Sequence, residues 1–255
     1  MSLDNIAQLT IDDLLNKEFE CQCGKLHSVS IGRVIIGENA VSKLPDVLKS
    51  FNYNRIFMVA DNNTYRVAGK NVENILLSLD FALSSVIYQR GSVLVPDERA
   101  IGQFMLNYNR NTDVIVAVGL GVINDISKYM GFILGVPYII IATAPSTDGY
   151  TSDCSAFIIN NTKISIPSSP PKVIIGDIEI LKNAPMEMIL SGLGDMVGKY
   201  SPLRDSKIGY IVTDEYYCEV IRKIVETSVT KCVQGVQGLK AGMKKITLYF
   251  HIELL

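Results

Sequence analysis

Five short apolar runs between Ser30 and Asp177 constrain the fold of this chain more than any other feature: Arg55–Ala60, Leu83–Tyr88, Asp113–Val118, Tyr138–Ala142 and Val173–Ile175. Each is rich in Val and Ile and almost continuously apolar. Strands covered on both faces read this way, whereas a strand with one wet face alternates apolar with polar residues. Amphipathic stretches lie between the runs. Ala40, Val41, Leu44, Val47 and Leu48 share one helical face, Val72, Ile75, Leu76 and Leu79 a second, and Ile101, Phe104 and Met105 a third after Pro96. Strand–helix alternation predicts right-handed βαβ units and an α/β, Rossmann-like parallel sheet.

The pattern changes after Asp177. Strand-like runs vanish, and Pro185 introduces the helical stretch MEMILSGLGDMVGKY, with proline near a helix start. Asp214–Val236 then places Val220, Ile221, Ile224, Val225, Ser228, Val229 and Cys232 on one stripe. A boundary is therefore expected near 178–184, between an α/β part (1–180) and an all-helical part (181–255). The second part, at about 75 residues, is small for an independent domain.

Composition narrows the function classes. With 48% hydrophobic and 20% charged residues, an ordered core is expected. A net charge of −2 supplies no broad field for nucleic acid or an anionic membrane, which leaves a small molecule as the default ligand. No apolar run reaches the roughly 18 residues that span a bilayer. The acidic start, MSLDNIAQLTIDDLLNKEFE, does not read as a signal peptide. Five scattered cysteines suggest reduced thiols and a cytoplasmic protein. Three residues in Cys21-x-Cys23-Gly24-x-x-His27 have the chemistry of zinc ligands, but a closed structural site takes four. The cluster reads either as part of a metal site or as an ordinary N-terminal segment.

Three later segments carry the chemistry. In DVIVAVGLGVINDISKYMG a buried strand leads through Gly119-Leu120-Gly121 into a helix, so the backbone turns sharply where free N–H groups face a ligand. Asn124 stands where a third glycine would complete G-x-G-x-x-G, and the turn comes late in the unit rather than after its first strand. It is a phosphate turn of another plan, or an ordinary βα turn. Next, Ala142-Thr143-Ala144-Pro145-Ser146-Thr147-Asp148-Gly149-Tyr150-Thr151-Ser152 crowds hydroxyls and a carboxylate at the end of a buried strand. That is where open α/β sheets place ligands, although Asp148-Gly149 also suits a plain turn. Finally, Asp195 lies among glycines in an apolar helix. It either pairs with Lys199, four residues on, or faces a ligand.

Taken together, these segments resemble the iron-containing alcohol dehydrogenase and dehydroquinate synthase superfamily. Gly119-Leu120-Gly121-Val122-Ile123-Asn124-Asp125 with Lys128 is similar to its G-G-G-S-x-x-D-x-x-K segment, Leu120 replacing the middle glycine. The second loop resembles P-T-A-x-S-x-D-G-x-x-S of the sn-glycerol-1-phosphate dehydrogenase branch, with Ala142 in place of proline. Ala184–Lys199 matches A-P-x-x-M-x-x-x-G-x-G-D-x-x-G-K. The likeness spans roughly Val29 to Gln234 and is strongest from Asp113 to Tyr200.

The resemblance implies a dehydroquinate synthase-like fold and an NAD(P)-dependent, metal-assisted interconversion of sn-glycerol 1-phosphate and dihydroxyacetone phosphate. It implies cofactor contacts from Gly119, Gly121, Val122, Ile123, Asp125, Thr143, Ser146 and Ser152. Asp61 or Asn62, which follow the strand Arg55–Ala60, are expected to meet the adenine-side ribose. It makes Asp148 a substrate contact and Asp195 a ligand to a divalent Zn, Ni or Fe ion. Homodimers or larger homo-oligomers are expected. The family completes its metal site with two later histidines, whereas this sequence holds only His27 and His251. The ending KKITLYFHIELL does not resemble the family's helices, so a truncated or frame-shifted terminus is the expectation and His251 is not carried over. On that expectation metal binds weakly and turnover is slow. The alternatives are a non-catalytic nucleotide-binding remnant, or a glycerol dehydrogenase or dehydroquinate synthase-like enzyme.

Overall fold

The computed structural model describes residues 10–240 apart from positions 90 and 92. His251 and the closing segment KKITLYFHIELL lie outside the described residues, as do the first nine positions of the N-terminus. One short helix, α1 (Ile11–Leu14), precedes a hairpin of β1 (Glu18–Glu20) and β2 (Leu26–Ser28). Next comes β3 (Arg33–Gly37), then a 3-10 turn (Ala40–Lys43) that runs into α2 (Leu44–Ser50). Strand β4 (Arg55–Asp61) leads into α3 (Asn62–Thr64), a π turn (Tyr65–Gly69) and α4 (Lys70–Ser78). The alternation continues with β5 (Ala82–Tyr88), α5 (Glu98–Asn107), β6 (Val114–Gly119), α6 (Val122–Leu134) and β7 (Tyr138–Ala142). After a second hairpin, β8 (Cys154–Ile159) and β9 (Thr162–Pro167), come β10 (Val173–Asp177) and α7 (Ile178–Leu181). The described chain then remains helical through α8 (Met186–Gly198), α9 (Tyr200–Thr213) and α10 (Glu219–Lys240).

Six strands form one sheet in the order β3-β10-β7-β6-β4-β5, and every pairing in it is parallel. The predicted strands all belong to it, and β3 joins them at one edge beside β10. Because side chains alternate along a strand, the sheet divides its core between two faces. Phe57, Val59, Ile115 and Ala117 face Phe104 of α5 and Ile123, Ile126 and Met130 of α6. Their neighbours Ile56, Met58, Val114, Val116 and Val118 face Leu44 and Leu48 of α2 and Val72 and Leu76 of α4. Full burial of each such side chain contributes roughly 1.5–3 kcal/mol, so this double layer is the main source of cohesion.

Several expectations need correction. Met105 and Leu79 are exposed: the buried face of α5 runs through Ala100 and Phe104, and Leu79 is already the residue that closes α4. The last helix starts at Glu219 rather than Asp214, because Asp214 takes a left-handed conformation (φ 55°) that terminates α9. Helix α9 itself was not foreseen, and it buries none of its residues. Nor was the β8–β9 hairpin, which turns on Asn160 and Asn161, both at positive φ as a two-residue primed turn requires. No helix among the described residues is long and apolar enough to cross a membrane.

Candidate active site

In the sheet order, β4 and β6 are neighbours, yet the chain leaves β4 toward β5 on one side and returns through β6 on the other. The crevice above their carboxyl ends is thus the point where the direction of winding reverses. Open α/β sheets bind ligands there. The glycine turn that seemed late in the sequence therefore occupies the central position of the sheet.

Each glycine in that turn has its own reason. A Cβ on Gly119 (φ +158°) would lie 2.8 Å from Cβ of Ile123, so side-chain-free backbone is needed for α6 to start so close to β6. Gly121 adopts φ +46°, ψ −107°, a conformation strained for other residues, and a Cβ there would meet nothing within 4 Å. The turn is tight at its first glycine and open at its second. Val122 begins α6. Ile123 is buried and fills the space over Gly119, while its N–H donates to Leu120 O at 3.1 Å.

Asp125 points toward the β8–β9 hairpin, where it accepts the N–H of Ala156. Burial raises its carboxyl to about 6, against the opposing pull of the Lys128 and Lys163 charges. One turn on, Lys128 is completely buried, and burial pushes its ammonium pKa down. Its Nζ donates to Gly149 O at 2.8 Å, Ser152 Oγ at 2.7 Å and Cys154 O at 3.2 Å. Asn124 Nδ2 adds a bond to Gly149 O at 3.3 Å. The helix of the glycine turn thus holds the second loop in place. The sequence reading gave Lys128 no role of its own. The signal was present, however: a lysine on the apolar face with Ile123, Ile126 and Met130 must find acceptors inside.

Strands β6 and β7 pair up to Gly119 and Ala142, so the glycine turn and the second loop leave the sheet side by side. Thr143 is buried at the root of the loop, and Ser146 is half-buried. Tyr150 is buried and donates to Ala144 O at 2.9 Å, closing the loop on itself. Ser152 is engaged with Lys128, Gly149 O and Cys154 O, which makes it a brace within the loop. Asp61, at the end of β4, caps α3: its Oδ1 accepts the N–H groups of Asn63 and Thr64, both at 2.8 Å. The cap fixes the carboxylate beside the crevice.

Helix α8 packs directly against the second loop. A Cβ on Gly192 would fall 2.0 Å from Pro145 O, so only glycine allows this approach. One turn further, Asp195 Oδ2 accepts the N–H of Asp148 at 3.2 Å. Of the two readings of Asp195, the pair with Lys199 is not formed, because Lys199 reaches across to the carboxylate of Asp148 instead. Nor is Asp195 buried; it is exposed on the loop side of α8, so no desolvation cost compels it to pair. The structure thus brings Asp148, Asp195 and Lys199 together on one side of the crevice. Cys21, Cys23 and His27 lie elsewhere, where Cys218 joins them as a fourth residue.

A family model described as iron-containing alcohol dehydrogenase matches residues 35–185. The glycerol-1-phosphate dehydrogenase (NAD(P)+) of Halalkalibacterium halodurans is 32% identical over 225 residues, covering 87% of this chain and 56% of that protein. The same-named protein of Bacillus subtilis is 32% identical over 227 residues, covering 88% of this chain and 58% of its own length. This chain therefore spans less than two thirds of these curated relatives. Among solved structures, an iron-containing alcohol dehydrogenase from Thermococcus thioreducens superimposes with a TM-score of 0.66 at 18% identity, covering 87% of this chain and 63% of that one. At that identity the likeness concerns the fold.

Proposed function

The chain belongs to the iron-containing alcohol dehydrogenase family, and from that premise we propose that it binds NAD(P) in an oxidoreductase interconverting sn-glycerol 1-phosphate and dihydroxyacetone phosphate. One observation carries the reading. The glycine turn, the second loop and α8 converge at the carboxyl edge of adjacent strands, with Asp148 and Asp195 in contact there. NAD(P), when bound, supplies the hydride acceptor and donor.

Each residue has a task in this reading. The open backbone at Gly121 and the start of α6 receive the pyrophosphate, where helix N–H groups favour anions. Thr143 and Ser146 line the nicotinamide side, and Asp61 meets the adenine-side ribose, where a carboxylate favours the 2′-hydroxyl of NAD over the 2′-phosphate of NADP. Asp148, held by Lys199, orients substrate hydroxyls. Asp195 is the metal carboxylate implied by the family pattern. Among the described residues, however, no group of three ligating side chains includes it. A lone carboxylate does not fix the geometry of a divalent ion, so the residues described here fit a nucleotide better than a catalytic metal. A cytoplasmic location and a homodimeric or larger assembly belong to the same proposal.

Fluorescence titration with NADH and NADPH tests the nucleotide part. Saturable binding that weakens in Gly121→Val is expected, since valine is strained at that backbone conformation; no binding of either nucleotide would refute the reading. Turnover of glycerol 1-phosphate against its glycerol 3-phosphate enantiomer, with excess Zn, Ni or Fe, then tests the reaction. Slow, metal-dependent turnover confined to the first is expected. Nucleotide binding without any turnover would favour the non-catalytic alternative.

A further inference from the structure

The hairpin of β1 and β2 contributes none of the residues that gather at the active-site crevice. Its tip, Cys21-Gln22-Cys23-Gly24-Lys25, turns through Gly24 at φ +80° and is closed by Gly24 N–H to Cys21 O at 3.0 Å. His27 follows on β2. From the opposite end of the described chain, Cys218 stands immediately before α10 and accepts the first helical bond, from Arg222 N–H, through its carbonyl.

These residues present three sulfurs and one imidazole nitrogen to a common centre. All four atoms lie within 4.8 Å of one another. Cys21 Sγ is 3.5 Å from Cys218 Sγ, and His27 Nε2 is 3.3 Å from Cys23 Sγ and 3.5 Å from Cys218 Sγ. A tetrahedron built on Zn–S bonds of about 2.3 Å and a Zn–N bond of about 2.0 Å has edges of roughly 3.5–3.8 Å. The spacing therefore suits one small tetrahedral ion. The surroundings suit it as well: the backbone N–H of Lys25 lies beside Cys23 Sγ, and those of Val220 and Ile221 lie beside Cys218 Sγ. Cys21 and Cys218 are buried together with Val220, which limits access of water to the centre.

We propose that Cys21, Cys23, His27 and Cys218 form a structural zinc site that fastens the N-terminal hairpin to the start of α10. Zinc binding releases the thiol protons to solvent and leaves three thiolates and a neutral imidazole on the ion. All four positions are filled by protein, so the site is closed to substrate and distinct in chemistry from a catalytic metal centre. A disulfide between Cys21 and Cys218 is the competing account. It would leave unexplained why Cys23 and His27 converge on the same two sulfurs. The three ligands of the hairpin were legible in the sequence. The fourth was not, because Cys218 lies 191 positions beyond His27.

The test measures zinc in the full chain purified from zinc-containing medium under reducing conditions. Zinc equimolar with protein is expected, retained in Asp195→Asn and Cys154→Ser and lost in Cys218→Ser. Cobalt substituted for zinc should give the strong visible bands and sulfur-to-metal charge transfer of a tetrahedral thiolate site. In His27→Cys those bands should persist and move to longer wavelength. Zinc-free protein, zinc undiminished in Cys218→Ser, a weak octahedral cobalt spectrum, or a Cys21–Cys218 disulfide in the purified chain would each overturn the proposal. Should Cys218→Ser fail to fold, the zinc content and cobalt spectrum of the unaltered chain decide the matter.

Discussion

Lys128 shows what a single buried charge does here. Its ammonium serves three acceptors on the second loop and at the start of β8, two of them main-chain carbonyls. Lys128→Met keeps the aliphatic stem and leaves those carbonyls without their donor. We expect a loss of about 3 kcal/mol, because breaking a buried charged network strands the partner that remains. Urea unfolding measures this, and weaker NADH binding should accompany it as the loop loosens. Asp125 supplies a pH signature. Burial, offset in part by Lys128, raises its carboxyl from the usual 3.8 to about 6, so the folded state holds this proton more tightly than the unfolded chain. Its contribution to stability is then fully present below the ordinary carboxylate range, declines as pH rises toward 6, and stays low above it. Asp125→Asn should remove that decline, seen as a shallower pH dependence of the urea midpoint between pH 4 and 7 than in the unaltered chain.

At the scale of elements, the contact between α8 and the second loop turns on Gly192. Gly192→Ala places a methyl against the main chain of Pro145, which has no flexible atom to yield. A loss of about 1–3 kcal/mol is expected, with larger displacement of α8 than of the sheet in hydrogen-exchange measurements. Which elements could be read from sequence follows from how they are buried. Strands β4, β6 and β7 lie inside the sheet and are almost continuously apolar, so their runs matched the observed strands within a residue or so. The short β3 lies at the edge, half-exposed, and its apolar run is only Val34–Ile36, between Arg33 and Gly37. Strand β9 is exposed along almost its entire length, so its alternation of Thr, Lys and Ser with Ile carried little hydrophobic signal. Helix α9 has no buried side to give it a period at all. The glycines and Asp195 could be placed by motif, whereas the exchange of Lys199 from Asp195 to Asp148 depends on how α8 meets the loop.

For the whole molecule, the sheet joins segments far apart in the chain. Its edge strand β3 pairs only with β10, Arg33 lying opposite Val173. Between them the chain builds β4, β5, β6 and β7 with their covering helices. This order has a consequence during synthesis. At roughly 5–20 residues per second, β10 leaves the ribosome on the order of ten seconds after β3, following about 140 intervening residues. Throughout that interval the apolar segment Val34–Ile36 has no partner strand, and the flank of β7 that β10 will occupy stands open. A nascent chain paused before residue 173 would expose a parallel sheet with an unprotected margin, the condition under which edge-to-edge association competes with folding. The last strand to arrive both gives Val34–Ile36 a partner and covers the open flank of β7.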